Sequence, residues 1–455
     1  PGSGRFHGIL TIALGQASGG KWFASTLQLQ LASFEACVAC RSVRTLRVTV
    51  DKIMPLSLWG NDNPFGGSVQ DPEMRQLPQL RAASVSWKIL ADMLVPLLSE
   101  SDLLREVEWM QVTAFNFSER VDWAALPSCL ERLALGGCFN EPIESVSWPV
   151  TLKHLTLGGW FDRCIADVVW PPSLLELTLG DRFNQPIKAV VWPASLLRLT
   201  FGNFFAQRIH AVVWPPSLLE LTLGNRFEYS ISRTAFPCSL QRLAIKGGFD
   251  RPITNVSWPK SLTHLTFGFG FDQPIVDVVW PASLEHLEFG RLFNQPITEV
   301  VWPIALKSLM FDFGFKQPIN GSAAWPVFLK HLTLGGLFDQ PITDVVWPAS
   351  LLVLTLCEGF EEPITDVVWP ASLLQLSLGG YFNQQITDIA WPDSLLQLFS
   401  GKFSTTISQW NIDGIVWPAS LRWLTLSKTV YQRAEAVVWP PSLEPVMFRD
   451  DFYDP

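Results

Sequence analysis

Four of the six histidines in the sequence, His154, His264, His286 and His331, fall into one column when the chain is aligned on a 22-residue spacing. The same column holds Arg132, Glu176, Arg198, Glu220 and Arg242. Imidazole, guanidinium and carboxylate groups in a row can pair charges and donate or accept hydrogen bonds, and the imidazoles can change charge near neutral pH. His264 and His286 on successive lines offer two metal ligands, but a metal site needs a third to converge on them. The column is therefore read as a polar face that meets another macromolecule, with no metal or cofactor expected.

The column runs on through Ser308, Val353, Gln375, Gln397 and Trp423, and a second lies two residues further along. There Thr156, Thr178, Thr200, Thr222, Thr266, Thr333, Thr355 and Thr425 recur, interrupted by Ala244, Glu288 and Met310. A ladder of threonines stabilises a sheet with no ligand present. An ice-binding array would need the ladder unbroken, and Glu288 and Met310 break it.

Other chemistry finds little support. The sequence has no glycine-rich phosphate loop between a strand and a helix, no His-Glu-x-x-His, and no nucleophile in a recognisable turn. Carboxylates such as Asp277, Glu299, Asp344, Asp366 and Asp388 recur with the period, which suits a solvated structural role better than a single active centre. Cys37 and Cys40 form a lone CxxC without a second pair. The seven cysteines are odd in number and scattered, which favours a reducing, cytoplasmic setting. The expectation is a protein that binds and does not catalyse.

What positions these columns is a repeat. Pairs ending in proline occur at Leu126-Pro127, Trp148-Pro149, Trp170-Pro171, Trp192-Pro193, Trp214-Pro215, Phe236-Pro237, Trp258-Pro259, Trp280-Pro281 and Trp302-Pro303, each 22 residues after the last. The series continues at Trp325, Trp347, Trp369, Trp391, Trp417 and Trp439, with one extra residue before Trp325 and four before Trp417. In the unit from Pro171 to Trp192, the spacing of Leu174, Leu177 and Leu179 predicts a strand entered by a turn, and Gly180 ends it. Phe183 and Ile187 recur as a second apolar pair that should stack inside the coil. Pro171 and Pro186 remove helical hydrogen bonds, leaving no stretch long enough for a stable helix. A second short strand is expected over Ala189 to Trp192, and a buried column of tryptophans along one corner.

A period this regular points to a solenoid. The sequence resembles the leucine-rich repeat superfamily and, within it, the FNIP repeats, on segments such as Phe183-Asn184-Gln185-Pro186-Ile187 and Phe293-Asn294-Gln295-Pro296-Ile297. The resemblance implies a β-rich repeat solenoid, a right-handed coil with a parallel sheet and few or no helices in the repeats. It also implies a non-catalytic protein-interaction scaffold working through the outward face of the sheet. The general leucine-rich pattern places an asparagine three residues after the last strand leucine, where Arg182 stands. The Asn184 column instead reads Asp162, Ala206, Glu228, Asp250, Asp272, Lys316 and Asp339, as at a tolerant, partly solvated position.

Residues 1–103 are expected to form an irregular N-terminal cap with degenerate coils and a helix near 87–105; residues 104–455 form about fourteen repeats ending in a partial coil. Leu46, Val48 and Val50 alternate like a strand, and Leu104, Val107 and Trp109 repeat the strand spacing. The FNIP resemblance allows an F-box that would dock a ubiquitin-ligase adaptor. Leu90 to Leu104 is the stretch to carry it, and a capping helix accounts for the same residues.

Composition agrees with a large buried core: 48% of residues are hydrophobic and 16% charged. A net charge of −9 with no lysine or arginine block argues against nucleic acid or an anionic membrane as partner. No apolar run is long enough for membrane insertion by a helix. Another protein is the expected partner.

Overall fold

In a computed structural model of the chain, the described residues are 8–14, 43–50, 106–110, 130–319 except 136 and 138, 325–400 except 383 and 385, 415–427, 438–444 and 447–449. The helix expected over 87–105, the F-box-like stretch and the Cys37/Cys40 pair lie outside them. The chain divides into two compact units, one of residues 1–207 and 212–218, the other of 208–211 and 219–455.

One coil shows how the sequence dictates its path. Three tight turns fold Pro171 to Trp192 back on itself: the Leu174 N–H donates to the Pro171 carbonyl at 3.1 Å, Phe183 to Gly180 at 3.0 Å, and Val190 to Ile187 at 3.2 Å. Between the first two turns lies the strand Glu176–Thr178, with Leu177 inward. The turns place Leu174, Leu177, Leu179, Phe183, Ile187, Val190 and Trp192 inside, each at most 7% exposed. The second strand expected over Ala189 to Trp192 does not form. Val190 is committed to the turn onto Ile187, and Pro193 has no N–H to extend a ladder.

Among the described residues, seven strands belong to the first unit: β1 (Gly8–Leu14), β2 (Val43–Val50), β3 (Glu106–Met110), β4 (Arg132–Ala134), β5 (His154–Thr156), β6 (Glu176–Thr178) and β7 (Arg198–Thr200). Each pairs in parallel with the next. The strands read from Leu46–Val50 and Val107–Trp109 are β2 and β3. The apolar run Gly8–Leu14 becomes β1, in register with β2.

Eleven described strands belong to the second unit: β8 (Glu220–Leu223), β9 (Arg242–Ile245), β10 (His264–Phe267), β11 (His286–Phe289), β12 (Ser308–Phe311), β13 (His331–Leu334), β14 (Val353–Leu356), β15 (Gln375–Leu378), β16 (Gln397–Ser400), β17 (Trp423–Ser427) and β18 (Met447–Arg449). They too pair in parallel, each with its successor. No helix occurs among the described residues.

The core is a set of columns. In the second unit Phe249, Phe271, Phe293, Phe315, Phe338, Phe360 and Phe382 stack with ring centroids 6.0 to 6.3 Å apart. Phe267, Phe289 and Phe311 fill the strand-leucine position beside them, at 5.5 to 5.7 Å from ring to ring. Tryptophans form the expected buried corner, with Trp170 over Trp192 in the first unit and Trp325 over Trp347 in the second, each 6.4 Å apart.

The indole Nε1 atoms of Trp170, Trp192, Trp280, Trp347 and Trp369 are buried without a protein acceptor. An orphaned donor costs ~1–3 kcal/mol, whereas burying ~150–250 Å² of ring returns roughly 4–6 kcal/mol at ~25 cal/mol/Å². The area wins. Trp347→Phe gives up part of the ring but removes the orphan, so chemical denaturation should show a change within about 1 kcal/mol. Phe236 occupies this column in its own coil.

Polar side chains clip each coil to the next. The serine of each Trp-Pro-x-Ser segment donates to a leucine carbonyl one coil back, as Ser195 does to Leu174 at 2.7 Å and Ser283 to Leu262 at 2.7 Å. The Asn184 column accepts along the same direction. Asn140 Oδ1 receives the Asp162 N–H at 2.9 Å, Asp162 the Asn184 N–H at 2.9 Å, and Asn184 the Ala206 N–H at 2.9 Å. In the second unit Asp250, Asp272 and Asn294 do the same for Asp272, Asn294 and Lys316. The following glutamine closes a second bond, Gln207 Nε2 donating to the Asn184 carbonyl at 2.8 Å. The position read as tolerant thus carries an Asn/Asp ladder, half-exposed and broken where Ala206 has no acceptor to give.

Asn184→Ala strips the acceptor from the Ala206 N–H and removes one of the two acceptors of Gln207, whose Nε2 also donates to Asn184 Oδ1 at 2.9 Å. The expected cost is about 1–2 kcal/mol, read as a lower urea midpoint with an unchanged slope.

Candidate functional site

The candidate column sits at the first residue of each strand from β4 to β17, so the parallel register fixes which side chains are neighbours. In the first unit Arg132 lies beside His154, His154 beside Glu176, and Glu176 beside Arg198. Glu176 is the hub: His154 Nδ1 lies 2.8 Å from one carboxylate oxygen and the Arg198 guanidinium meets the other. Partial burial works to raise the Glu176 pKa, but His154 and then Arg198 outweigh it and hold the carboxyl below its ordinary value.

In the second unit the register runs Glu220, Arg242, His264, His286, Ser308, His331, Val353. Arg242 Nε stands 3.7 Å from Glu220. His264 and His286 stack face to face, centroids 4.2 Å apart and planes 14° from parallel. The Thr263 hydroxyl lies 2.9 Å from His264 Nδ1 and fixes that ring's orientation. Burial, then the charges of His286 and Arg242, lowers the pKa of His264; burial also lowers His286, aided by Lys307 and Arg242 against the opposing pull of Glu285. Beyond His331 the column turns uncharged, through Val353, Gln375 and Gln397.

The face is therefore largely self-compensated. Its cations and carboxylates meet one another, and exposed pairs of this kind contribute only ~0–1 kcal/mol each. The sequence reading missed this internal pairing, although the alternation of sign from Arg132 to Arg242 was visible in it. It also passed over the column one residue earlier, where Lys153 meets Glu131 at 3.3 Å and Lys307 meets Glu285 at 2.7 Å. Lys307 is the main reason the Glu285 pKa is lowered.

Stacked imidazoles are poorly placed to chelate one ion, and among the described residues no group of three or more His, Cys, Asp or Glu could hold a metal. Cys164, Cys238 and Cys357 are free thiols; burial, then Asp312 and Glu358, pushes Cys357 up to about 11, away from nucleophilic chemistry. No helix of the described residues is long and apolar enough to cross a membrane.

The lowered histidines couple stability to pH. Their unfolded forms take up protons more readily than the folded pair, so stability is full above the ordinary histidine pKa and falls as pH drops through it. The thermal midpoint should decline between ~pH 7 and ~pH 5. His264→Gln with His286→Gln should flatten that decline; an unchanged slope would assign it to other groups. Glu176 and Glu285, both lowered from 4.5, add a further loss at more acid pH.

The sequence matches the FNIP Repeat family over residues 161–204 and 249–292. Among solved structures it is similar to CroV588, a circular leucine-rich-repeat protein, at 27% identity and a TM-score of 0.60, covering 92% of this chain. The chain spans 64% of the length of that protein. It is also similar to the internalin InlF from Listeria monocytogenes, at 15% identity and a TM-score of 0.43, covering 74% of this chain and 91% of that one. No curated protein matches the chain. With the parallel ladder and the Asn/Asp and Gln clips in place, the segments that match FNIP repeats, residues 161–204 and 249–292, sit on a fold similar to that of leucine-rich-repeat proteins.

Proposed function

We propose that the chain is a non-catalytic scaffold that docks another protein on the outward strand faces of its units. The leucine-rich-repeat fold is commonly used in this way. The observation that carries the reading is the His264–His286 stack, an imidazole pair held on a sheet where neighbouring charges are largely matched. Backbone ladders hold these side chains in place before a partner arrives, so little ordering entropy is lost on docking. In the first unit the His154–Glu176–Arg198 cluster offers a second preorganised set. A net charge of −9 favours a protein partner over nucleic acid.

The test is affinity capture from native lysate with the wild-type chain and with Arg198→Ala, His264→Ala and His286→Ala. Loss of one captured protein with retained thermal stability supports docking on this face. An identical captured set for every folded variant overturns it.

A further inference from the structure

The segment before each Trp-Pro pair, outside the strands, carries a second surface. In the second unit the valine before four of the buried tryptophans points fully outward: Val279, Val301, Val346 and Val368 are 77 to 80% exposed. They alternate with an inward neighbour on each side, as Val278 and Trp280 flank Val279 at 4% and 8%. Singly exposed valines need no explanation, but Val279 and Val301 stand on one pair of successive coils and Val346 and Val368 on another, and together they form an apolar strip. It widens at Ile304, Val327 and Phe328, which are 64, 65 and 55% exposed. The backbone beneath is pinned by the serine clips and the stacked indoles, and valine has one stiff side-chain torsion, so the strip is rigid.

One edge of this strip is acidic. Two residues before each outward valine stands an exposed carboxylate: Asp277, Glu299, Asp344 and Asp366, with Asp388 one coil on. The described residues of these two columns include no lysine or arginine over Asp277 to Asp388. Of the lysines of these coils, Lys307 and Lys330 lie next to the strand starts and Lys316 lies in the Asn184 column. A second copy packed strip to strip would bring no cation from the valine or carboxylate columns to meet the carboxylates. An extended peptide would leave its own backbone groups against valine, where no strand edge is on offer.

We infer that this strip docks a basic amphipathic α-helix, its apolar stripe on the valine row and its lysines or arginines along the carboxylate edge. A helix satisfies its own backbone and presents both features at once. Its turn advances ~5.4 Å, and tryptophans of successive coils are 6.4 Å apart at Trp325 and Trp347, so two turns can meet two successive coils, at Val279 with Val301 or at Val346 with Val368. This surface is independent of the strand face and of whatever docks there.

The probe is a fluorescein-labelled synthetic helix of about 18 residues, leucine along one stripe and lysine along its flank, titrated into the full chain by anisotropy. A twin with glutamate in place of lysine is the control. The wild type should bind the lysine helix at least about tenfold more tightly than the glutamate helix. Val301→Asp with Val346→Asp should weaken the lysine helix about tenfold although it adds negative charge. Glu299→Gln with Asp344→Asn should weaken it severalfold. Val301→Ser with Val346→Ser serves the same purpose as the aspartate pair if the aspartates lower the thermal midpoint. Unchanged or tighter binding by the Val→Asp variant would reduce the attraction to bulk charge and overturn the inference. Wild-type self-association abolished by these same variants would give the strip to a second copy instead. His264→Ala should leave helix binding intact, which keeps this result separate from the strand-face reading.

Discussion

Phe293→Ala is expected to cost about 3–5 kcal/mol and to break the cooperativity of the second unit. Phe293 is 0% exposed. Its ring lies 6.1 Å from Phe271, 4.2 Å from Phe289, 5.8 Å from Phe311 and 6.3 Å from Phe315. Removing it empties one rung of its own column and strips a neighbour from Phe289 and Phe311 in the adjacent one, and coils on either side are bound too tightly by their own clips to close the gap. A repeat array is stabilised chiefly between neighbours, so a weakened junction separates the coils before it from those after it. Urea denaturation followed by tryptophan fluorescence should show a lower first midpoint and a broadened or two-step transition. A single transition within about 1 kcal/mol of wild type would show that the Phe columns are not what couples the coils.

Gly247→Val should be comparably severe, at more than about 3 kcal/mol, for a different reason. Gly247 has φ of 72°, in the left-handed region that a β-branched residue avoids. A side chain there would also put its first carbon 1.9 Å from the Asn225 carbonyl oxygen and 2.3 Å from the Asn225 Cα. Neither the torsion nor the backbone one coil back can yield alone. Gly137→Ala is the matched control, since a methyl there meets nothing within 4 Å, and should shift stability by no more than about 0.5 kcal/mol. Equal thermal midpoints for the two variants would refute the steric account.

The inward columns were legible because they repeat: a leucine, phenylalanine, isoleucine or tryptophan recurring every 22 residues has only one place to go in a stacked coil. The strand register was legible for the same reason, and with it the neighbours of His264 and Glu176. Their relations were not. Spacing shows that His154, Glu176 and Arg198 are adjacent, but the choice of Glu176 as the shared partner depends on rotamers that no periodicity encodes. The Asn184 position looked tolerant because Ala206, Glu228 and Lys316 occur in its column. Its role emerges only when the side-chain oxygen is seen to reach the backbone N–H one coil on. The expected strand at Ala189 to Trp192 failed because apolar alternation there reflects a turn that presents one valine inward and the next outward. That same alternation was the available signal for the valine strip.

The sameness of the coils that builds these columns also makes them interchangeable during folding. A strand such as β14 that docks one coil early, on β12 and not β13, would find leucine opposite leucine and phenylalanine over phenylalanine, with nearly every native contact mimicked. Such misthreaded states are deep traps, because escape requires unzipping all that has formed. The odd members of the series, Ala206 without its acceptor, Phe236 among tryptophans, Phe328 in place of a clip serine, then act as address labels that penalise wrong alignments. Exchanging them for the consensus residue should raise equilibrium stability while slowing refolding and multiplying its phases.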